Sequence, residues 1–121
     1  MIRGIKFVSI PVLDQDRALH FYTEKLGMRV QTDQAFSPTQ RWIELAFSGA
    51  ETGLVLFTPP GHEDRIGSFQ PMSLWCDDVR ATAAILKGKG VQFEQEPKQE
   101  QWGTSAIFLD GDGNRFVLSS R

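Results

Sequence analysis

From Ile5 to Val12 the chain alternates Val, Ile and Phe with smaller or polar residues, the period of two expected of a strand with one face against a core. Asp14 then offers an N-cap. Ala18, Leu19, Phe21, Tyr22 and Leu26 recur at helical spacing as far as Gly27, a residue suited to ending a helix. A short strand from Met28 and strands over residues 41–48 and 53–58 follow, separated by Ser-Pro- or Gly-containing turns. The first half therefore reads β-α-β-β-β.

Residues 59–70 carry the Pro, Gly and charge content of a surface connection, with Ile66 and Phe69 as the side chains suited to pack down. Beyond it the pattern returns. Residues 72–76 repeat the first strand, Asp78 repeats the cap, Val79, Ala83 and Leu86 form a helical stripe, and Gly90 repeats the stop. Strands are predicted over residues 91–94, 104–109 and 115–119, the last two joined by the turn-rich Asp110-Gly111-Asp112-Gly113-Asn114. Val8, Ile10 and Val12 overlay Met72, Leu74 and Cys76 at one constant offset, so a two-fold internal repeat is the economical reading. The expectation is a single α+β domain spanning 1–121, with module one at 1–58, a linker at 59–70 and module two at 71–121.

Composition narrows the classes. A chain of 121 residues, 40% hydrophobic and 23% charged, can bury one core and is neither disordered nor fibrous. A net charge of −2 with no cluster of Lys or Arg argues against nucleic acid as a partner. No apolar run is long enough to span a bilayer and the first residues lack a signal-peptide stretch, so no membrane partner and a cytoplasmic location are expected. The single cysteine, Cys76, cannot form an internal disulfide, which agrees with a reducing compartment.

The string Val12-Leu13-Asp14-Gln15-Asp16-Arg17-Ala18-Leu19-His20-Phe21-Tyr22-Thr23-Glu24-Lys25-Leu26-Gly27-Met28 resembles the opening signature of the vicinal oxygen chelate superfamily, which includes glyoxalase I, bleomycin resistance proteins and extradiol dioxygenases. Trp102-Gly103, Ile107-Phe108 and Asp110-Gly111-Asp112-Gly113-Asn114 are similar to its second signature, usually written with Pro where Gly111 stands. The resemblance spans nearly the whole chain and implies two βαβββ modules in tandem, their strands curled into a cup with helices outside, commonly completed as a homodimer. It is specific for fold and not for activity, because isomerases, dioxygenases, transferases and plain binding proteins share it. Phe21 and Tyr22 read as core residues pinning the helix to the sheet.

Enzymes of this superfamily hold a divalent metal in the cup with one ligand from each of four strands. Carried onto this chain, the first ligand position falls on Phe7, the second on Glu44, the third on Pro71 or its neighbour Met72, and the fourth on Val117. One carboxylate cannot assemble a site that needs three or more N, O or S donors, so no metal and no other cofactor is expected. His20, on the first helix and away from the cup, reads as a surface or packing residue. His62, beside Glu63 and Asp64, reads as part of a solvated loop.

Strand parity puts Phe7, Ser9 and Pro11 on one face, Trp42 and Glu44 on one face, and likewise Ser73 with Trp75 and Arg115 with Val117 and Ser119. The lining so implied, Phe7, Ser9, Trp42, Glu44, Ser73, Trp75, Trp102, Arg115 and Val117, suits a flat or apolar ligand, with Glu44 free to accept a hydrogen bond or meet a cation. The competing reading is that the aromatics fill the cup and leave no room. Residues 95–101 read as a mobile gate with Trp102 as a lid, and Cys76 as an inert core thiol. A carboxylate desolvated among aromatics tends to hold its proton more tightly, which keeps Glu44 open as a general acid or base. The expected function is metal-independent binding of a small aromatic or cationic compound by a homodimer. The enzyme alternative is a glyoxalase-type isomerase, lyase or dioxygenase-like activity using Glu44.

Overall fold

Two carboxylates start the two helices. Asp14 sits in extended backbone and accepts the Arg17 N–H at 3.1 Å, and Asp78 does the same for the Ala81 N–H at 3.0 Å, each cap stabilising its helix by about 1 kcal/mol. Gly27 and Gly90 follow those helices at φ of +76° and +87°, where a side chain would be strained. The computed structural model describes residues 1–68 and 72–120, which fall into two units, Met1–Ile66 and Gly67–Arg121.

The first unit runs β1 (Phe7–Pro11), α1 (Gln15–His20, continued by a π-helical turn at Phe21–Lys25), β2 (Arg29–Ser37), β3 (Gln40–Ala46) and β4 (Gly53–Phe57). The second runs β5 (Met72–Cys76), α2 (Val79–Gly88), β6 (Gln92–Glu100), β7 (Gly103–Leu109) and β8 (Arg115–Ser120). A single 3₁₀ turn, Glu63–Arg65, lies between β4 and β5 among the described residues. The sheets have the same topology, β1-β4-β3-β2 and β5-β8-β7-β6. In each, the first strand is parallel to its neighbour and the other pairs are antiparallel. The α+β class and the tandem βαβββ modules expected from the sequence are thus present as two open mixed sheets.

Alternate residues of each sheet supply its core. Ile10, Ile43, Leu45, Leu54 and Leu56 share one parity in the first sheet and are buried with Ala18, Phe21 and Tyr22 from the helical segment. Removing each large side chain from water contributes roughly 1.5–3 kcal/mol. In the second unit Ala106, Phe108, Phe116 and Leu118 play this part with Val79, Ala83 and Leu86, and the Phe108 and Phe116 rings stack at 5.4 Å.

Three elements depart from expectation. The first strand starts at Phe7, because its partner β4 starts at Gly53, leaving Ile5 exposed. β2 extends over nine residues where only a short strand from Met28 is predicted, since nearly all its side chains are exposed and show no alternation; pairing with β3 holds it. The gate expected at residues 95–101 is instead mostly β6, which ends at Glu100. Its polar sequence belongs to an edge strand, where a proline without an N–H is tolerated, and the register skips around Pro97 between Gln95 and Lys98.

Candidate functional site

On the face of the first sheet opposite its core parity, Ser9, Val55, Glu44 and Thr32 line up across all four strands. Glu44 is half-buried and Ser9 exposed. The same parity puts Phe7, two residues before Ser9, and Trp42, two before Glu44, on this face to either side of the row, and their rings meet edge to face, 5.5 Å between centroids. Phe36, on the β2 stretch that the sequence does not reveal, adds a third ring 6.1 Å from Trp42 and is 70% exposed. The sheet is tight beside Glu44: a Cβ on Gly53 would stand 2.6 Å from the Leu45 carbonyl oxygen and 4.0 Å from the Glu44 Cγ, so only glycine fits there.

Next to Trp42, Arg41 directs its guanidinium to the other face. It donates to both carboxylate oxygens of Asp33, at 3.1 and 2.9 Å, and pairs with the exposed Asp16 of α1. The hydrogen bonds from Arg41 hold the Asp33 carboxyl below its usual pKa against the opposing effect of partial burial, and they raise Arg41 above its own. A carboxyl whose folded pKa is depressed adds stability that is present above its unfolded pKa of about 3.9 and is lost as pH falls through the folded value. The melting temperature of the native protein is therefore expected to fall more steeply below about pH 4 than that of Asp33→Asn, as read by thermal melts across that range.

In the second unit Ser73 pairs with Val117 and Trp75 with Ser119. Trp75 is 59% exposed, and Trp102, 69% exposed, sits in the turn between β6 and β7. Arg115 is exposed and donates its Nε to both oxygens of Glu94, at 2.9 and 3.1 Å, so its charge is engaged by a neighbour that sequence parity did not single out. Cys76 is half-buried rather than a core thiol, its strand position lying opposite Ser120 at the end of β8. The Asp110–Asn114 turn is closed by the buried Asp110 carboxylate, which accepts the backbone N–H groups of Asp112 and Asn114 and the Asn114 side-chain amide, each at 2.8 Å.

The repeat relates the expected ligand position at Val117 to Val55 and not to Glu44. β4 and β8 are equivalent strands, and Val55 and Val117 are equivalent residues, each paired with the serine of the parallel neighbour, Ser9 or Ser73. Glu44 lies one strand over, on β3, where its counterpart in the second unit is Ile107. Phe7, Val55 and Val117 carry no donor atom, Met72 offers a half-buried thioether, and Pro71 lies outside the described residues, as does Phe69. Among the described residues no three His, Cys, Asp or Glu side chains gather into a metal-binding group. His20 and His62 are exposed, and Glu63, its carboxyl held low by its own backbone N–H and that of Gly61, closes its own loop. These residues do not fit a four-ligand metal centre.

Two βαβββ units of this topology define a fold class shared by isomerases, dioxygenases and binding proteins. The chain belongs to the Glyoxalase/Bleomycin resistance protein/Dioxygenase superfamily, which it matches over residues 4–118. It is 37% identical over 118 residues to the uncharacterized protein YetH of Bacillus subtilis (strain 168), covering 98% of both chains. Its fold is similar to that of UcmS2, with a TM-score of 0.89 and 35% identity over the whole of both chains. It is likewise similar to TnmS3, an antibiotic binding protein from Streptomyces sp. CB03234, with a TM-score of 0.87, 37% identity, and coverage of 98% of this chain and 96% of that one. No helix among the described residues is long and apolar enough to cross a membrane.

Proposed function

We propose that this chain is a metal-independent binding protein that holds a flat aromatic compound, preferentially a cationic one, against Phe7, Trp42 and Glu44. The observation that carries the reading is that Phe7 and Val55 offer no donor atom on the face of the first sheet where aromatic rings are grouped, while Val117, the counterpart of Val55 in the second unit, offers none either. Such a surface gains from stacking a planar ring, and a half-buried carboxylate beside it favours positive charge. Ser9 is a further polar contact of this face, and Ser73, Trp75, Trp102, Arg115 and Val117 are the candidate contacts of the second unit. The similarity to an antibiotic binding protein supports a small organic ligand. A cytoplasmic homodimer is part of the same reading.

Native mass spectrometry of the untagged protein as purified tests it, followed by titration with two planar probes of one ring system, cationic proflavine and anionic acridine-9-carboxylate. The expected result is a dimer without stoichiometric metal that binds proflavine more tightly. A stoichiometric divalent ion would move the glyoxalase-type reading to first place. Failure to bind either probe would remove the aromatic face as the site.

A further inference from the structure

Between β3 and β4 the regular ladder covers only Ile43–Leu56, Glu44–Val55 and Leu45–Leu54. The same register continued would pair Arg41 with Thr58, exchanging two backbone hydrogen bonds. Those bonds are not made to each other. The Gln15 side-chain amide, reaching from α1 and buried, accepts the Arg41 N–H at 3.0 Å and donates to the Arg41 carbonyl at 2.7 Å and to the Leu56 carbonyl at 3.0 Å. From β3 itself the Gln40 amide accepts the N–H of Thr58, the residue just past β4, at 2.7 Å and donates to the Thr58 carbonyl at 3.0 Å.

Two glutamine amides thus stand in for the missing backbone partners, Gln15 of α1 for Arg41 and Gln40 of β3 for Thr58. Every group of the absent pair is satisfied, so the split is stable rather than frayed. It opens beside Trp42, which lies between the last ladder pair, at Ile43, and the clamped Arg41. Arg41 is fixed twice from the same turn of α1, its backbone by Gln15 and its guanidinium by Asp16.

We infer that Gln15 and Gln40 are positioning residues for the binding face: by holding β3 and β4 apart at Arg41 and Thr58, they set the orientation in which the Trp42 ring meets Phe7 and a ligand. This deepens the binding reading above and rests on it for the ligand's part, but not for the ring's. Without the amides the two strands would regain the ordinary ladder, and Trp42 would be carried with β3 toward β4.

The test uses protein labelled with 5-fluorotryptophan, whose three ¹⁹F resonances report Trp42, Trp75 and Trp102, with Trp42 assigned from Trp42→Phe. Gln40→Ala and the near-isosteric Gln15→Glu, which cannot donate to the two carbonyls, are compared with Leu86→Ala, a core variant on α2 of the second unit that controls for lost stability. The expected result is a displaced Trp42 resonance with Trp75 unmoved and proflavine affinity lowered about tenfold in the glutamine variants, with neither change in Leu86→Ala. An unmoved Trp42 resonance in both folded glutamine variants overturns the inference. A displaced resonance with unchanged affinity overturns the binding role and leaves a structural one. If native protein does not bind proflavine, the binding reading fails by itself, while the resonance still decides whether the amides orient the ring.

Discussion

Trp42→Ala is expected to weaken proflavine binding by roughly 1–3 kcal/mol, the range that loss of one stacking partner costs. Its ring sits at the centre of the aromatic group, 5.5 Å from Phe7 and 6.1 Å from Phe36, so truncation removes a surface and also leaves the other two rings without their common neighbour. The half-buried side chain is not part of the hydrophobic core, so circular dichroism should show the fold retained. Glu44→Gln separates charge from shape: it is expected to lower affinity for proflavine and not for acridine-9-carboxylate, as read by fluorescence titration of both. Trp75→Ala applies the same test to the second unit. Affinity for proflavine unchanged in both tryptophan variants would sink the assignment of these faces to a ligand.

The largest expected loss of stability outside the hydrophobic cores is at Asp110. Its buried carboxylate accepts three N–H groups, two from the backbone of the turn and one from Asn114, whose own side-chain oxygen accepts the Gly67 N–H at 3.1 Å. Asp110→Ala strands those donors where water reaches poorly and is expected to cost roughly 2–4 kcal/mol, lowering the melting temperature by about 10 °C or more. Asp110→Asn keeps the acceptor oxygen and should lose markedly less. Equal melting temperatures for the native protein and Asp110→Ala would show that the turn does not depend on its carboxylate. Trp42→Ala and Asp110→Ala together separate recognition from folding, because one acts on a half-buried ring outside the core and the other on a closed turn.

Much of the architecture was legible in the residues because it rests on local chemistry and on a repeat. Asp14 and Asp78 cap the helices they were expected to cap, Gly27 and Gly90 end them, and the constant offset between Ile10 and Leu74 foretells two sheets of one topology. Burial leaves a period in sequence, so the core strands could be read from it. β2 and the end of β6 could not, since an exposed edge strand owes its existence to backbone bonds with a partner and leaves no hydrophobic trace.

The candidate site divides the same way. That Phe7 shares a face with Ser9, and Trp42 with Glu44, follows from parity within a strand. Which residues stand opposite them is a matter of register, and only the tertiary structure set Val55 beside Ser9, brought Phe36 to Trp42 and engaged Arg115 with Glu94. The same holds for Gln15 and Gln40. Nothing in their spacing announces that two side-chain amides replace a backbone pair, because that need arises only when β3 and β4 part at Arg41 and Thr58 and leave four polar groups to satisfy.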